Sequence, residues 1–320
     1  MRIHILFHDR CFDGMASAGL FEVFYRTKVD RSAEVSFGGL EHGPGPGRLC
    51  PERLEGDENA VLDFRYLPDE RLTWWFDHHR TGFKSAEDRV HFETDTSGRK
   101  YFDPNASSCA SLMVRQLARH HGFDPSPYRE VLAWADRIDT ARFETPEAAV
   151  SLETAPMRLL AWIEHSHSLE ERVVVLRHLV REGVEAAAGL PLVRRQLEPV
   201  LAAHRETVAA FRRRCRLEGS VAFCDLTDLS LKSVNKFLAY YLFPEAPYAV
   251  VVTRNGRSSR VSVGFSPWRD RRELRHDIAR LCHRYGGGGH SVVGGIDFHA
   301  DAADEAVRVA REVVATLNRS

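Results

Sequence analysis

The sequence predicts an α/β protein with an N-terminal parallel sheet wrapped by helices, a helical connection and a smaller C-terminal α/β domain. Three observations point there. Short apolar runs alternate with helix-like stretches through the first half, as in a parallel sheet with crossover helices. Helical periodicity dominates from about Asn105 to Cys215, and a second strand–helix alternation starts at Ser220. At 320 residues the chain also exceeds the usual size of one hydrophobic core. The expected divisions are 1–190, a helical linker over 191–218, and 219–320.

Ile3 to Phe7 reads as the first strand. Its apolar run is short, and His8 and Asp9 follow at once, which argues against a signal peptide. Gly38 to Gly47 is rich in Gly and Pro and reads as a loop. Ala60 to Phe64 and Thr73 to Phe76 read as the second and third strands. Glu170 to Arg216 carries arginines among Val and Leu at helical spacing, and Arg212-Arg213-Arg214 reads as a solvated helix face or helix end, with an RNA-contacting surface as the alternative. In the C-terminal part, strands are expected at Val221 to Cys224, Tyr248 to Thr253 and Arg260 to Phe265. Helices are expected at Arg271 to Arg284 and Ala302 to Leu317.

Lys and Arg total 44 against 45 Asp and Glu, so no global positive field exists to hold a long polyanion. A small phosphorylated substrate fits that balance, and long nucleic acid does not. The cysteines at 11, 50, 109, 215, 224 and 282 form no C-x-x-C pair and read as scattered thiols in a reducing compartment, so a cytoplasmic location is expected. No apolar run reaches the ~18 residues of a membrane span. Oligomeric state stays open, with a homodimer admitted.

The chemistry-bearing residues fall at strand ends. His8 and Asp9 follow the first strand, and Asp13-Gly14 opens the next helix; Asp63 closes the second strand, and Asp77-His78-His79 follows the third. In an open parallel sheet, loops and helix N-termini converge beyond the carboxyl ends of the strands. Each residue alone has an ordinary explanation as a cap, a turn or a hydrogen-bonded histidine. Together they cluster acids and imidazoles that would be costly without a compensating cation. Oxygen and imidazole donors suit two Mn²⁺ ions, with Mg²⁺ or Fe²⁺ as alternatives, and such a pair suits phosphoester hydrolysis. Later, Gly286-Gly287-Gly288-Gly289-His290 reads either as a flexible turn or as a loop whose backbone N–H groups approach an anion or nucleotide.

Asp63, Asp77-His78-His79, the stretch Asp103-Pro104-Asn105-Ala106-Ser107-Ser108 and the late Gly286-to-His290 run resemble, in that order, the DHH phosphoesterase superfamily with its DHH-associated C-terminal domain. The group includes RecJ-type exonucleases, nanoRNases that also act on pAp, cyclic-dinucleotide phosphodiesterases and, with a different C-terminal domain, family II pyrophosphatases and prune-type polyphosphatases. The resemblance covers nearly the whole chain.

It implies a metal-dependent phosphoesterase acting on a short oligoribonucleotide or pAp. The alternatives are a cyclic dinucleotide, pyrophosphate or polyphosphate as substrate, or a non-catalytic nucleotide sensor. It further implies that His8, Asp13, Asp63 and His78 are metal ligands and that Asp63 bridges both ions. Asp77 would orient the imidazoles, and His79 would face the substrate phosphate. A further ligand is expected in Trp134-Ala135-Asp136-Arg137-Ile138-Asp139-Thr140; Asp136 matches the RecJ-type pattern and is preferred, while Asp139 matches the nanoRNase version. Ser107, Ser108, the Gly286–Gly289 run and His290 would contact a substrate held between the domains.

Two departures stand out. Where the family has two aspartates two residues apart, Cys11-Phe12-Asp13 supplies one, so either Asp9 substitutes or one ion has fewer ligands. Where an Arg-Ser pair is usual, the chain reads Val261-Ser262-Val263-Gly264-Phe265-Ser266, leaving Arg254, Arg257 or Arg260 to take the role.

Overall fold

The computed structural model describes residues 1–41, 47–230, 234–255 and 258–319. The chain divides into two compact units, Met1–Arg142 with Leu152–Val200, and Phe143–Ser151 with Leu201–Ser320.

The first unit contains β1 (Arg2–His8), α1 (Phe12–Phe24), β2 (Glu34–Leu40), β3 (Glu58–Leu62), β4 (Trp74–Asp77), α2 (Ala86–Glu93), β5 (Lys100–Phe102), α3 (Cys109–His121) and α4 (Arg129–Asp139). Helix α5 (Pro146–Val150) belongs to the second unit, and α6 (Ala155–His165), α7 (Leu169–Glu182) and α8 (Val184–Ala188) return to the first. Helix α9 (Pro191–Arg214) contains the division at Val200. The second unit continues with β6 (Cys215–Glu218), β7 (Val221–Ser230), α10 (Leu238–Leu242), β8 (Tyr248–Arg254), β9 (Ser258–Phe265), α11 (Ile278–His283), β10 (Gly288–His290), β11 (Val293–His299) and α12 (Ala303–Leu317).

The first sheet runs β2-β1-β3-β4-β5 with every pairing parallel. Its central strands are apolar on both faces because α1 covers one side and loops with α2 cover the other. Strand β4 shows the alternation. Trp74 and Phe76 face α1, with Trp74 5.6 Å from Phe21 and 5.5 Å from Phe24 between ring centroids. Trp75 points the other way into a cluster with Leu6, Leu40, Val61 and Tyr66. Helix α3 is delimited by local chemistry: the Ser108 hydroxyl accepts from Ser111 N at its start, and Gly122 takes φ +63° at its end.

The second sheet, β10-β11-β9-β8-β7-β6, is mixed, with only β7 and β8 parallel among its pairings. Val221, Phe223, Val250, Val252, Val261 and Val263 face Ile278 of α11 and Val309 and Val313 of α12. Ala222, Cys224, Ala249 and Val251 face Leu238 and Ala239 of α10 and Phe211 of α9. This is the period of two that a sheet buried on both faces requires.

Several expectations are corrected. Gly38, Gly39 and Leu40 are not loop but the end of β2, parallel to β1; residues 42–46 of that stretch lie outside the described residues. Of the run Arg271 to Arg284, only a short 3₁₀ turn at Arg271–Glu273 and α11 are helical. Gly288, Gly289 and His290 form β10, which pairs antiparallel with β11. The six cysteines are not all free thiols: Cys215 and Cys224, opposite each other across β6 and β7, form a disulfide. No described helix is long and apolar enough to cross a membrane.

Of the two glycines of β10, only Gly289 is required by close backbone approach. A Cβ on Gly289 would lie 2.2 Å from Val293 O, and its φ is +148°, whereas a Cβ on Gly288 would meet nothing within 4 Å. Gly289→Ala should therefore destabilise the chain by about 1–3 kcal/mol, and Gly288→Ala by no more than about 0.5 kcal/mol. Urea denaturation of both variants checks this, and equal midpoints would contradict the hairpin.

Candidate metal centre

Strands β1, β3 and β4 lie side by side and parallel, so the residues just beyond their carboxyl ends share one edge. His8 ends β1, Cys11 and Asp13 follow at the start of α1, Asp63 follows β3, and Asp77 ends β4 with His78 and His79 next. Asp139, the last residue of α4, joins them.

His78 is the hub. Its Nε2 lies 3.6 Å from Asp13 Oδ2, 3.5 Å from Asp63 Oδ1 and 3.5 Å from Asp139 Oδ2. Its Nδ1 is 3.2 Å from Ala106 O, and that contact turns Nε2 toward the carboxylates. The other oxygen of Asp63 faces His8, with Oδ2 3.2 Å from His8 Nδ1. Asp63 thus presents one oxygen to each of two histidines. Its backbone is left-handed, with φ +55°, a conformation that aspartate tolerates better than most residues. Asp13 accepts from Cys109 N at 2.6 Å and Ala110 N at 2.9 Å, so the N-terminus of α3 fixes its carboxylate. Asp77 is fully buried, and its Oδ1 accepts from His78 N at 2.9 Å and pairs with His79 Nδ1 at 2.7 Å.

This crowding shifts the ionisations. Burial, reinforced by Asp63 and Asp139, pushes Asp13 well above the usual carboxylate range. Burial opposes ionisation of Asp63 too, but the imidazoles of His78, His8 and His79 close to its carboxylate outweigh it and hold that carboxyl far below its ordinary value. Burial would lower His78, yet Asp63, Asp13 and Asp139 raise it to about 10. The hydrogen bond to Asp77 is the main reason that His79 rises to about 9. Burial, with Asp63 and Asp13 nearby, pushes the Cys11 thiol up.

Asp63 Oδ1, Asp77 Oδ2 and His78 Nε2 are buried and make no hydrogen bond. Such atoms are costly unless something else satisfies them. Three donor sets each have ligand atoms within 4.8 Å of one another: His8 with Cys11 and Asp63, Asp63 with His78 and His79, and Asp13 with His78 and Asp139. Carboxylate and imidazole donors with unsatisfied atoms facing inward fit divalent cations.

Other residues singled out by sequence lie elsewhere. Asp9 is turned away from these sets: its Oδ2 pairs with Arg172 Nη2 at 2.7 Å, and both side chains are buried. Asp136 instead accepts from Ser108 Oγ at 2.6 Å, so of the two aspartates on α4 it is Asp139 that reaches His78. Ser108 is itself fully buried with its hydroxyl engaged at Asp136 and Ser111 N, and Ser107 is half-buried in the turn before α3. In the second unit, Arg260 binds Asp297 across β9 and β11, with Nη1 2.7 Å from Oδ1. Arg254 is exposed at the end of β8, Gly286 takes φ +77°, Gly287 lies half-buried before β10, and His290 is exposed on that strand. Arg257 lies outside the described residues. Cys11 is the site neighbour that sequence reasoning left without a role, although its place in the motif, where an aspartate is usual, was the signal.

The chain has the fold of DHH-domain proteins. It is similar over 99% of its length, and 98% of the other chain, to a pGpG-specific phosphodiesterase, PggH from Vibrio cholerae, at TM-score 0.69 and 18% identity. A DHH domain described as a member of the s1p family of ribosomal proteins matches at TM-score 0.60 and 13% identity, covering 99% of this chain and 88% of that one. RecJ from Thermus thermophilus, in complex with Mn²⁺, matches at TM-score 0.55 and 15% identity over 98% of this chain and 52% of that one. No family model and no curated protein matches the sequence.

The histidine shifts set the pH dependence of the metal-free protein. Unfolded histidine titrates near 6.5, whereas folded His78 and His79 titrate near 10 and 9. Their contribution to stability is therefore complete below pH 6.5 and is lost as pH rises through 9 and 10. The raised Asp13 also favours the folded state at lower pH. The Tm of chelator-treated protein should fall across this window, and should fall less in a variant carrying His78→Gln and His79→Gln. Parallel Tm profiles for the two proteins would refute the assignment.

Proposed function

We propose that the chain is a metal-dependent phosphoesterase that hydrolyses a small nucleotide, either a short oligoribonucleotide or pAp. The observation that carries this is the meeting of Asp13, Asp63 and Asp139 around His78, with Asp63 offering its second oxygen to His8. His8, Asp13, Asp63, His78 and Asp139 would hold two divalent cations. When bound, the ions would supply Lewis-acid stabilisation of phosphate charge and a water acidic enough to ionise near neutral pH. Mn²⁺ is favoured with Mg²⁺ as the alternative, and RecJ complexes with both ions share this fold.

The chain's own residues would bind and orient. Asp77 fixes the His79 ring through the 2.7 Å hydrogen bond, and in the metal-free chain that bond raises the ionisation of His79. An imidazole N–H so placed would donate to a phosphate oxygen. The near-balance of 44 basic and 45 acidic residues supports a small substrate rather than a long strand. The pGpG-specific phosphodiesterase with the same fold supports a linear dinucleotide within that class. The competing reading is a nucleotide sensor without turnover, motivated by Cys11 standing where an aspartate is usual.

Asp63→Asn separates these. Asparagine tolerates the left-handed backbone, so the variant should fold while losing cation affinity and at least about 100-fold in hydrolysis. Assays with Mn²⁺ on pGpG, pAp, cyclic dinucleotides and pyrophosphate should show highest kcat/KM for the first two. Full turnover by Asp63→Asn would remove the mechanism. Two bound ions with no turnover of any of the four would favour the sensor.

A further inference from the structure

We propose that Cys11 is a thiolate ligand to one of the two cations, making that site a mixed sulfur, nitrogen and oxygen site selective for a borderline ion such as Zn²⁺, Co²⁺ or Fe²⁺ over Mg²⁺. The inference rests on the metal-centre reading above and deepens it. Cys11 Sγ, a His8 ring nitrogen and an Asp63 carboxylate oxygen lie within 4.8 Å of one another. The second observation is at Asp63, which is fully buried and whose Oδ2 lies 3.2 Å from His8 Nδ1. The thiol therefore stands beside a buried carboxylate that already meets an imidazole, and the set is not a lone cysteine.

Helix capping accounts for this cysteine only weakly, because its thiol makes no capping hydrogen bond. It sits at the N-cap of α1, where Ser, Thr, Asp or Asn would stabilise the helix and cysteine contributes little. It is half-buried, whereas Cys109 is fully buried with its thiol directed to Phe76 O at 3.2 Å. Three protein ligands rather than four is the number used by catalytic rather than structural zinc sites. A soft thiolate shifts selectivity away from Mg²⁺, which prefers oxygen. On binding, the S–H bond breaks, the sulfur–metal bond forms with the electron pair left on sulfur, and the proton leaves to solvent. The set of Asp13, His78 and Asp139 contains no sulfur, so the two positions would differ in preference.

The test reads the metal, not the reaction. Metal-free full-length protein is titrated with Co²⁺ and followed by absorption, with bound metal counted by elemental analysis. Wild type should show a sulfur-to-cobalt charge-transfer band in the near ultraviolet, and Cys11→Ser and Cys11→Asp should lack it. Zn²⁺ affinity of one site should fall at least ~10-fold in Cys11→Ser, and Cys11→Asp should recover binding with preference moved toward Mn²⁺ and Mg²⁺. The wild-type band and Cys11→Asp keep the test decisive if Cys11→Ser does not fold. Two cobalt ions bound to wild type without the band, or a band that survives in Cys11→Asp, would overturn the thiolate and leave the metal centre standing. Failure to bind cobalt at all would overturn both.

Discussion

Everything at the sheet edge follows from the cost of burying carboxylates together. Asp13 and Asp63 are almost wholly removed from water, and Asp139 joins them around a single imidazole. Like charges at such distances in a low dielectric cannot coexist without a positive partner. In the metal-free chain, protons supply it: His78 holds one up to about pH 10 and Asp13 takes another above its usual range. A divalent ion would do the same task with stronger bonds, and its binding would release those protons. The arrangement is thus a site whose protonated form stands in for its loaded form.

The fold bears this cost through geometry fixed far from the chemistry. Helix α1 approaches β1 so closely that a Cβ on Gly14 would lie 2.1 Å from His8 O, which keeps Asp13 beside the strand end. The first N–H groups of α3 hold the Asp13 carboxylate, and Asp9 is kept out of the cluster by Arg172, which also donates to Ser166 O at 2.8 Å. Breaking one partner of such a buried pair is costly, so Asp9 and Arg172 read as a brace for the loop after β1.

Much of this was legible in the sequence because strand ends carry their own signature. An apolar run short enough to be one strand, followed directly by His8, Asp63 or Asp77, places the residue at the carboxyl edge before any coordinate is known. What stayed hidden depends on tertiary contact. β2 ends in Gly38, Gly39 and Leu40, and β10 begins with Gly288 and Gly289; glycine is a local turn signal, whereas at Gly38, Gly39 and Gly289 it permits backbone or side-chain approach within a sheet. β5, Lys100 to Phe102, is too short to show a period. The Cys215–Cys224 pairing depends on the β6–β7 register, which spacing alone does not reveal.

Asp136 and Asp139 show how fine the remaining ambiguity is. Three residues apart on α4, they lie on neighbouring parts of one helix face, and both local motifs resemble known ones. The choice is made by Ser108. Its hydroxyl caps α3 and at the same time donates to Asp136 Oδ1, giving that carboxylate a neutral partner. Asp139, nearly one turn nearer the end of α4, meets the charged His78 instead, so the helix end rather than its middle completes the cluster. A capping serine on one helix therefore decides which aspartate of another is left to face a cation.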